Sequence, residues 1–92
     1  MQLANINGHL IHYRHLHAKE RGRTLVFLNS VGTDYRIWDD VVDIVKDHAS
    51  ILLLDNRGHG LSDVVEDTRG LNDFVTDTAV LLDHLSINHC TI

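Results

Sequence analysis

The sequence predicts an α/β domain in which two antiparallel strands are followed by a parallel strand, helix, strand, helix, strand series. Two short apolar runs, Leu25-Val26-Phe27-Leu28 and Ile51-Leu52-Leu53-Leu54, have the Leu, Ile and Val content of strands buried on both faces. Each run stops at small and polar residues, and a segment with apolar residues at helical spacing comes later, which is how a buried strand delivers a loop and then a covering helix. Two Phe, two Tyr and one Trp are too few for an aromatic core, so the interior rests on aliphatic side chains.

The 92 residues, 43% of them apolar, suffice for one small domain that hides roughly two-thirds of its unfolded surface. The formal charge is -5 and the eight Lys and Arg are scattered, so no basic stripe could follow a phosphate backbone and nucleic acid is excluded as a partner. The longest apolar runs are four residues, against the roughly 20 that a bilayer requires. The start, Met1-Gln2-Leu3-Ala4-Asn5, lacks the charge and long apolar centre of a secretion signal, so a cytoplasmic location is expected. Cys90, the single cysteine, allows no internal disulfide and reads as a buried structural thiol.

Residues 3–6 and 9–16 read as strands joined by Asn7-Gly8, a pair that readily adopts the positive φ angles of a tight turn. Ile11 and Tyr13 then share one face of the second strand and Leu10 and Leu16 the other. Residues 24–28 form the first buried strand and lead into Asn29-Ser30-Val31-Gly32-Thr33. In residues 35–47 the apolar positions Ile37, Trp38, Val41, Val42 and Val45 fall on one side of a helix, with Asp39, Asp40, Asp43 and Lys46 opposite and Asp34 as its cap. The next buried strand, residues 50–54, ends at Asp55-Asn56-Arg57-Gly58-His59-Gly60. After an acidic connection a second helix covers about residues 72–85, with Leu71, Phe74, Val75, Thr78, Leu81, Leu82 and Leu85 on one side. Residues 88–92 begin a third buried strand, and more protein is expected after Ile92, because the last strand would otherwise be an unprotected edge.

This order of elements and its two loops resemble the N-terminal third of an α/β-hydrolase, and are most similar to 3-oxoadipate enol-lactonases. The matching residues are Asn29-Ser30-Val31-Gly32-Thr33-Asp34 with Trp38, then Asp55-Asn56-Arg57-Gly58-His59-Gly60-Leu61-Ser62, then Leu81-Leu82-Asp83-His84-Leu85. Residues 1–92 are accordingly expected to be the N-terminal part of a single hydrolase domain, ending before the turn that carries the nucleophile. In the family a Ser in Gly-x-Ser-x-Gly attacks an acyl carbon while backbone N–H groups hold the oxyanion. The resemblance places one of those donors on the Val31 N–H, with Ser30 in the oxyanion loop and Asn29 and Trp38 beside the substrate. It implies hydrolysis of an ester or lactone, most specifically the enol-lactone of 3-oxoadipate in aromatic-compound breakdown, with a small-molecule substrate and no cofactor.

The family's nucleophile, acid and His match no residue of this sequence, so the chain alone is expected to be inactive. Neither Ser30 nor Ser62 is flanked by the glycines of a nucleophile elbow. Trp38 suits either a pocket wall or a core anchor beneath the loop. Asp55, Arg57, Gly58 and Gly60 read as a tight structural bend near the site, with the arginine close to Asp55. His9, His12, His15 and His17 cluster in sequence, but His12 points opposite to the others and no Cys or spaced carboxylate completes a tetrahedral set, so solvated edge-strand histidines are expected and no metal. The alternatives are another α/β-hydrolase, such as a carbon-carbon bond hydrolase, dehalogenase or epoxide hydrolase, or a small noncatalytic interaction module.

Overall fold

A computed structural model of the chain describes residues 2–6, 8–18, 23–29, 33–57, 59–62 and 71–92. Four strands, β1 (Gln2–Ile6), β2 (His9–Leu16), β3 (Thr24–Phe27) and β4 (Ser50–Leu54), form one sheet in the order β1-β2-β4-β3. β1 pairs antiparallel with β2, and β2 antiparallel with β4. β3 and β4 are parallel, with Thr24 opposite Ser50 and Phe27 opposite Leu53. The expected third parallel strand is a single parallel bridge, in which Thr91 lies beside Leu25 and exchanges backbone hydrogen bonds of 2.8 Å with Thr24 and Val26.

Side-chain alternation along the strands sorts the core into two layers. Ala4, Ile6, Ile11, Val26, Leu52 and Leu54 face helix α2 (Leu71–His84) and meet its Leu81. Ile51 and Leu53 face the other way, toward Val42 of helix α1 (Asp39–Val45), with Leu16, Phe27, Tyr35, Trp38 and Val45 at the margin. Ile6, Ile11, the four residues 51–54 and Leu81 are essentially inaccessible, and each contributes about 1.5–3 kcal/mol of transfer free energy. β4 is therefore the spine of the fold, because among the described strands it alone has buried apolar side chains on both faces, Leu52 and Leu54 on one and Ile51 and Leu53 on the other.

The described hairpin turn has Gly8 at φ +94, with its N–H bonded to Asn5 Oδ1 at 2.9 Å; Asn7 lies outside the described residues. The segment expected as one helix over residues 35–47 is a 3₁₀ turn, Tyr35–Trp38, followed by the shorter α1. Asp34 caps the 3₁₀ turn by accepting from the Arg36 N–H at 2.9 Å. Its apolar side is also narrower than expected. Residues 38, 42 and 45 touch the sheet, whereas Ile37, Val41 and Ile44, one position round the helix, are exposed. The histidines require correction as well: β2 is an inner strand of the sheet, and His12 is buried. Cys90 is partly buried against the α2 layer. No helix among the described residues is long and apolar enough to cross a membrane.

Candidate active site

β3 and β4 are parallel, so the loops that follow them leave the sheet at the same edge, where parallel sheets bring their functional loops together. Asp55 is the first residue beyond β4, and its backbone N–H continues the pairing with β2 by donating to the His12 carbonyl at 2.9 Å. Its carboxylate is buried, with 3% of the residue exposed, and gathers three donors. Oδ1 accepts from the Tyr35 N–H at 2.9 Å, and Oδ2 accepts from His12 Nδ1 at 2.9 Å and from the Leu61 N–H at 3.1 Å. One side chain thus joins β2, the 3₁₀ turn and its own loop. The ring of His12 also stacks on Tyr35, with centroids 5.1 Å apart.

Gly60 explains why that loop needs glycine. It sits at φ +51, and a Cβ there would collide with the Asp55 carboxylate. Ser62 closes the bend: its hydroxyl donates to the Asp55 carbonyl at 2.6 Å and accepts the His12 N–H at 2.9 Å. That bonding, and its burial, leave the Ser62 oxygen unsuited to nucleophilic attack.

Arg57 is buried, and its partner is not Asp55 but Asp77 of α2. Nε and Nη2 grip the two carboxylate oxygens at 2.7 Å each, a fork-to-fork pair, and Asp73 lies 3.9 Å from Nη1. Held in this way, the guanidinium has its pKa raised further above its usual value by the Asp77 hydrogen bonds. His9 Nε2 reaches the same Asp77 oxygen as Nη2, at 3.1 Å. His59 bonds the Arg57 carbonyl through Nδ1 at 3.0 Å and meets the edge of Phe74. Among the described residues no buried side-chain polar atom lacks a hydrogen-bond partner.

The loop after β3 is different. Ser30, Val31 and Gly32 lie outside the described residues, as does Gly58. Asn29, just before that segment, donates from Nδ2 to the Leu54 carbonyl at 2.6 Å and accepts at Oδ1 from the Trp38 indole Nε1 at 2.9 Å. Trp38 packs on Phe27 at 5.1 Å between centroids, which places its ring in the α1 layer of the core. Beyond the segment, Asp34 and Arg36 form a surface ion pair with Nη2 at 2.7 Å. The Arg36 hydrogen bonds hold the Asp34 carboxyl down to about 2, while burial, followed by the Asp55 charge, pushes the Tyr35 phenol up. A cleft of about 260 Å³ opens between the loops, lined by Asp34, Tyr35, Arg36, Asp55, Gly60 and Leu61.

Sequence reasoning brought Asn29, Trp38 and Asp55 to one edge of the sheet but missed His9, His12 and Asp77. Asp77 carried a usable signal, since it stands three residues after Phe74 and four before Leu81, on the apolar side of α2. The histidines carried a weaker one: burial of β2 on both faces depends on the sheet order, which the strand's own sequence does not state.

No family model matches the chain. It is 38% identical over 72 residues to 3-oxoadipate enol-lactonase 1 of Acinetobacter baylyi, an alignment covering 78% of this chain and 27% of the relative. The crystal structure of the enol-lactonase from Burkholderia xenovorans LB400 superposes with a TM-score of 0.89 and 30% identity, over 97% of this chain and 35% of that one. An epoxide hydrolase from Bacillus megaterium superposes with a TM-score of 0.84 at 25% identity, over 98% of this chain and 31% of that chain. The chain thus spans about a quarter of the length of the curated relative it matches.

Proposed function

From the premise that this chain carries part of the α/β-hydrolase fold and is similar to 3-oxoadipate enol-lactonases, we propose that it supplies the oxyanion side of a carboxylic ester or lactone hydrolase. The substrate is the enol-lactone of 3-oxoadipate, opened to 3-oxoadipate during cytoplasmic breakdown of aromatic compounds. Residues 1–92 are the N-terminal part of one domain, and the nucleophile, acid and His belong to the rest of it.

The observation that carries the proposal is the parallel bridge between Leu25 and Thr91. A strand continuing from Thr91 in that direction runs alongside β3 and finishes beside Asn29, where a nucleophile on the following turn faces the loop after β3. In this arrangement the Val31 N–H, with Ser30 next to it, donates to the oxygen that becomes negative when the acyl carbon is attacked. One such donor is worth about 3–4 kcal/mol in a hydrolase of this chemistry. The donor is a backbone group, so the valine side chain is no obstacle. The cleft beside Tyr35 and Leu61 takes the rest of a small substrate.

The test uses the 92-residue chain alone and a chimera in which it replaces the matching segment of the Acinetobacter enol-lactonase 1. Loss of the enol-lactone is followed by its ultraviolet absorbance. The chain alone is expected to leave the lactone intact and the chimera to open it. Turnover by the chain alone, or a folded chimera that hydrolyses other esters but not this lactone, contradicts the proposal.

A further inference from the structure

The ladder between β3 and β4 stops at Phe27 opposite Leu53, so the Leu54 carbonyl lies one rung beyond the backbone pairing on that side. Asn29 fills the place of that rung with a side chain, through the 2.6 Å bond from Nδ2 to the Leu54 oxygen. The other end of the amide receives the indole N–H of Trp38 at 2.9 Å. Only one orientation of the amide satisfies both partners, because the reversed one sets oxygen against oxygen and N–H against N–H. An aspartate in the same place would lose the donor, and a leucine both ends. Tyr35, on the far side of residues 30–32, is fastened in turn to Asp55 Oδ1 at 2.9 Å. Both ends of the loop are therefore tied to consecutive residues at the end of β4, Leu54 and Asp55.

We propose that Asn29 is a positioning residue: its two-ended amide pins the entry of the loop after β3 to the end of β4 and to Trp38, and it does this in place of contacting substrate. The pin stands on its own geometry, and only its catalytic consequence rests on the oxyanion reading above. Trp38 is then the second half of the pin, with its ring held by Phe27 and its N–H by Asn29.

Trp38 is the single tryptophan, so its indole N–H gives one assignable signal in a nitrogen-proton correlation spectrum of the full chain. Asn29→Leu is expected to move that signal toward the position of a free indole and to speed its hydrogen exchange by about fivefold, the factor that one hydrogen bond of ordinary strength represents. An indole signal unchanged in Asn29→Leu overturns the proposal. If that variant does not fold, Trp38→Phe keeps the ring packing, and the Asn29 Nδ2 protons become the probe; their exchange is expected to quicken, and its constancy overturns the pin.

In the chimera, Asn29→Leu and Trp38→Phe are both expected to lower kcat and to leave KM unchanged. A raised KM in Asn29→Leu with Trp38→Phe neutral would return Asn29 to substrate contact and overturn the inference. An inert chimera speaks against the proposed function alone, because the spectroscopic arm still decides the pin.

Discussion

The two loops at the carboxyl edge of the parallel strands are built on opposite plans. The loop after β4 fastens itself through its side chains: Asp55 holds His12, Tyr35 and Leu61, Arg57 grips Asp77, and Ser62 bonds two backbone groups. The loop after β3 is held at its ends, by Asn29 on Leu54 and Trp38, and by Tyr35 on Asp55. The loop after β4 thus acts as a buttress, and the loop after β3 is tied at the described residues on either side of 30–32.

Breaking the buttress should have the largest effect. Asp77→Ala leaves the Arg57 guanidinium buried, with Asp73 3.9 Å away, and should lower stability by about 3–5 kcal/mol, the usual result of removing one partner of a buried pair. Urea unfolding followed by circular dichroism measures it, and a loss below about 1 kcal/mol would mean that water replaces the carboxylate. Gly60→Ala should come next, at about 1–3 kcal/mol, from the strained backbone and the collision with Asp55 together. Because that collision displaces the carboxylate holding Tyr35, the Tyr35 amide resonance should move too, linking the buttress to the other loop.

The smallest effect concerns pH, at a site remote from both loops. Burial, and secondarily His17, lower the His15 pKa below its ordinary 6.5. The unfolded chain then binds the proton more readily, so this contribution to stability is intact above pH 6.5 and declines as the pH falls from there toward the folded-state value. His15→Gln should flatten the acid side of the stability profile slightly and leave both loops undisturbed. A steeper decline in the variant would reverse the sign of this account.

The contrast between the loops also explains what was legible in the sequence. The strands and helices followed from local apolar patterns such as Ile51-Leu52-Leu53-Leu54, whose two-sided burial requires a layer on each face. The bend at residues 55–62 was legible as a bend because Gly60 marks it. Its fastenings were not, since Arg57 meets Asp77 across 20 positions and His12 meets Asp55 across 43. No periodicity encodes pairings of that span. Ile37 and Val41 misled for a related reason: spacing defines an apolar side, while the rotation of α1 over the sheet decides which part of it is buried. Asn29 stood out in the sequence through its motif, but its two bonds depend on where β4 ends and where Trp38 packs.

The most direct test of the central claim compares the rate of enol-lactone opening by the chimera carrying Val31, Val31→Ala or Val31→Pro. If the backbone N–H of residue 31 stabilises the oxyanion, alanine preserves the rate and proline, which lacks that N–H, lowers kcat by about 10²–10³ with the fold intact by circular dichroism. A proline variant as fast as the parent would contradict the account.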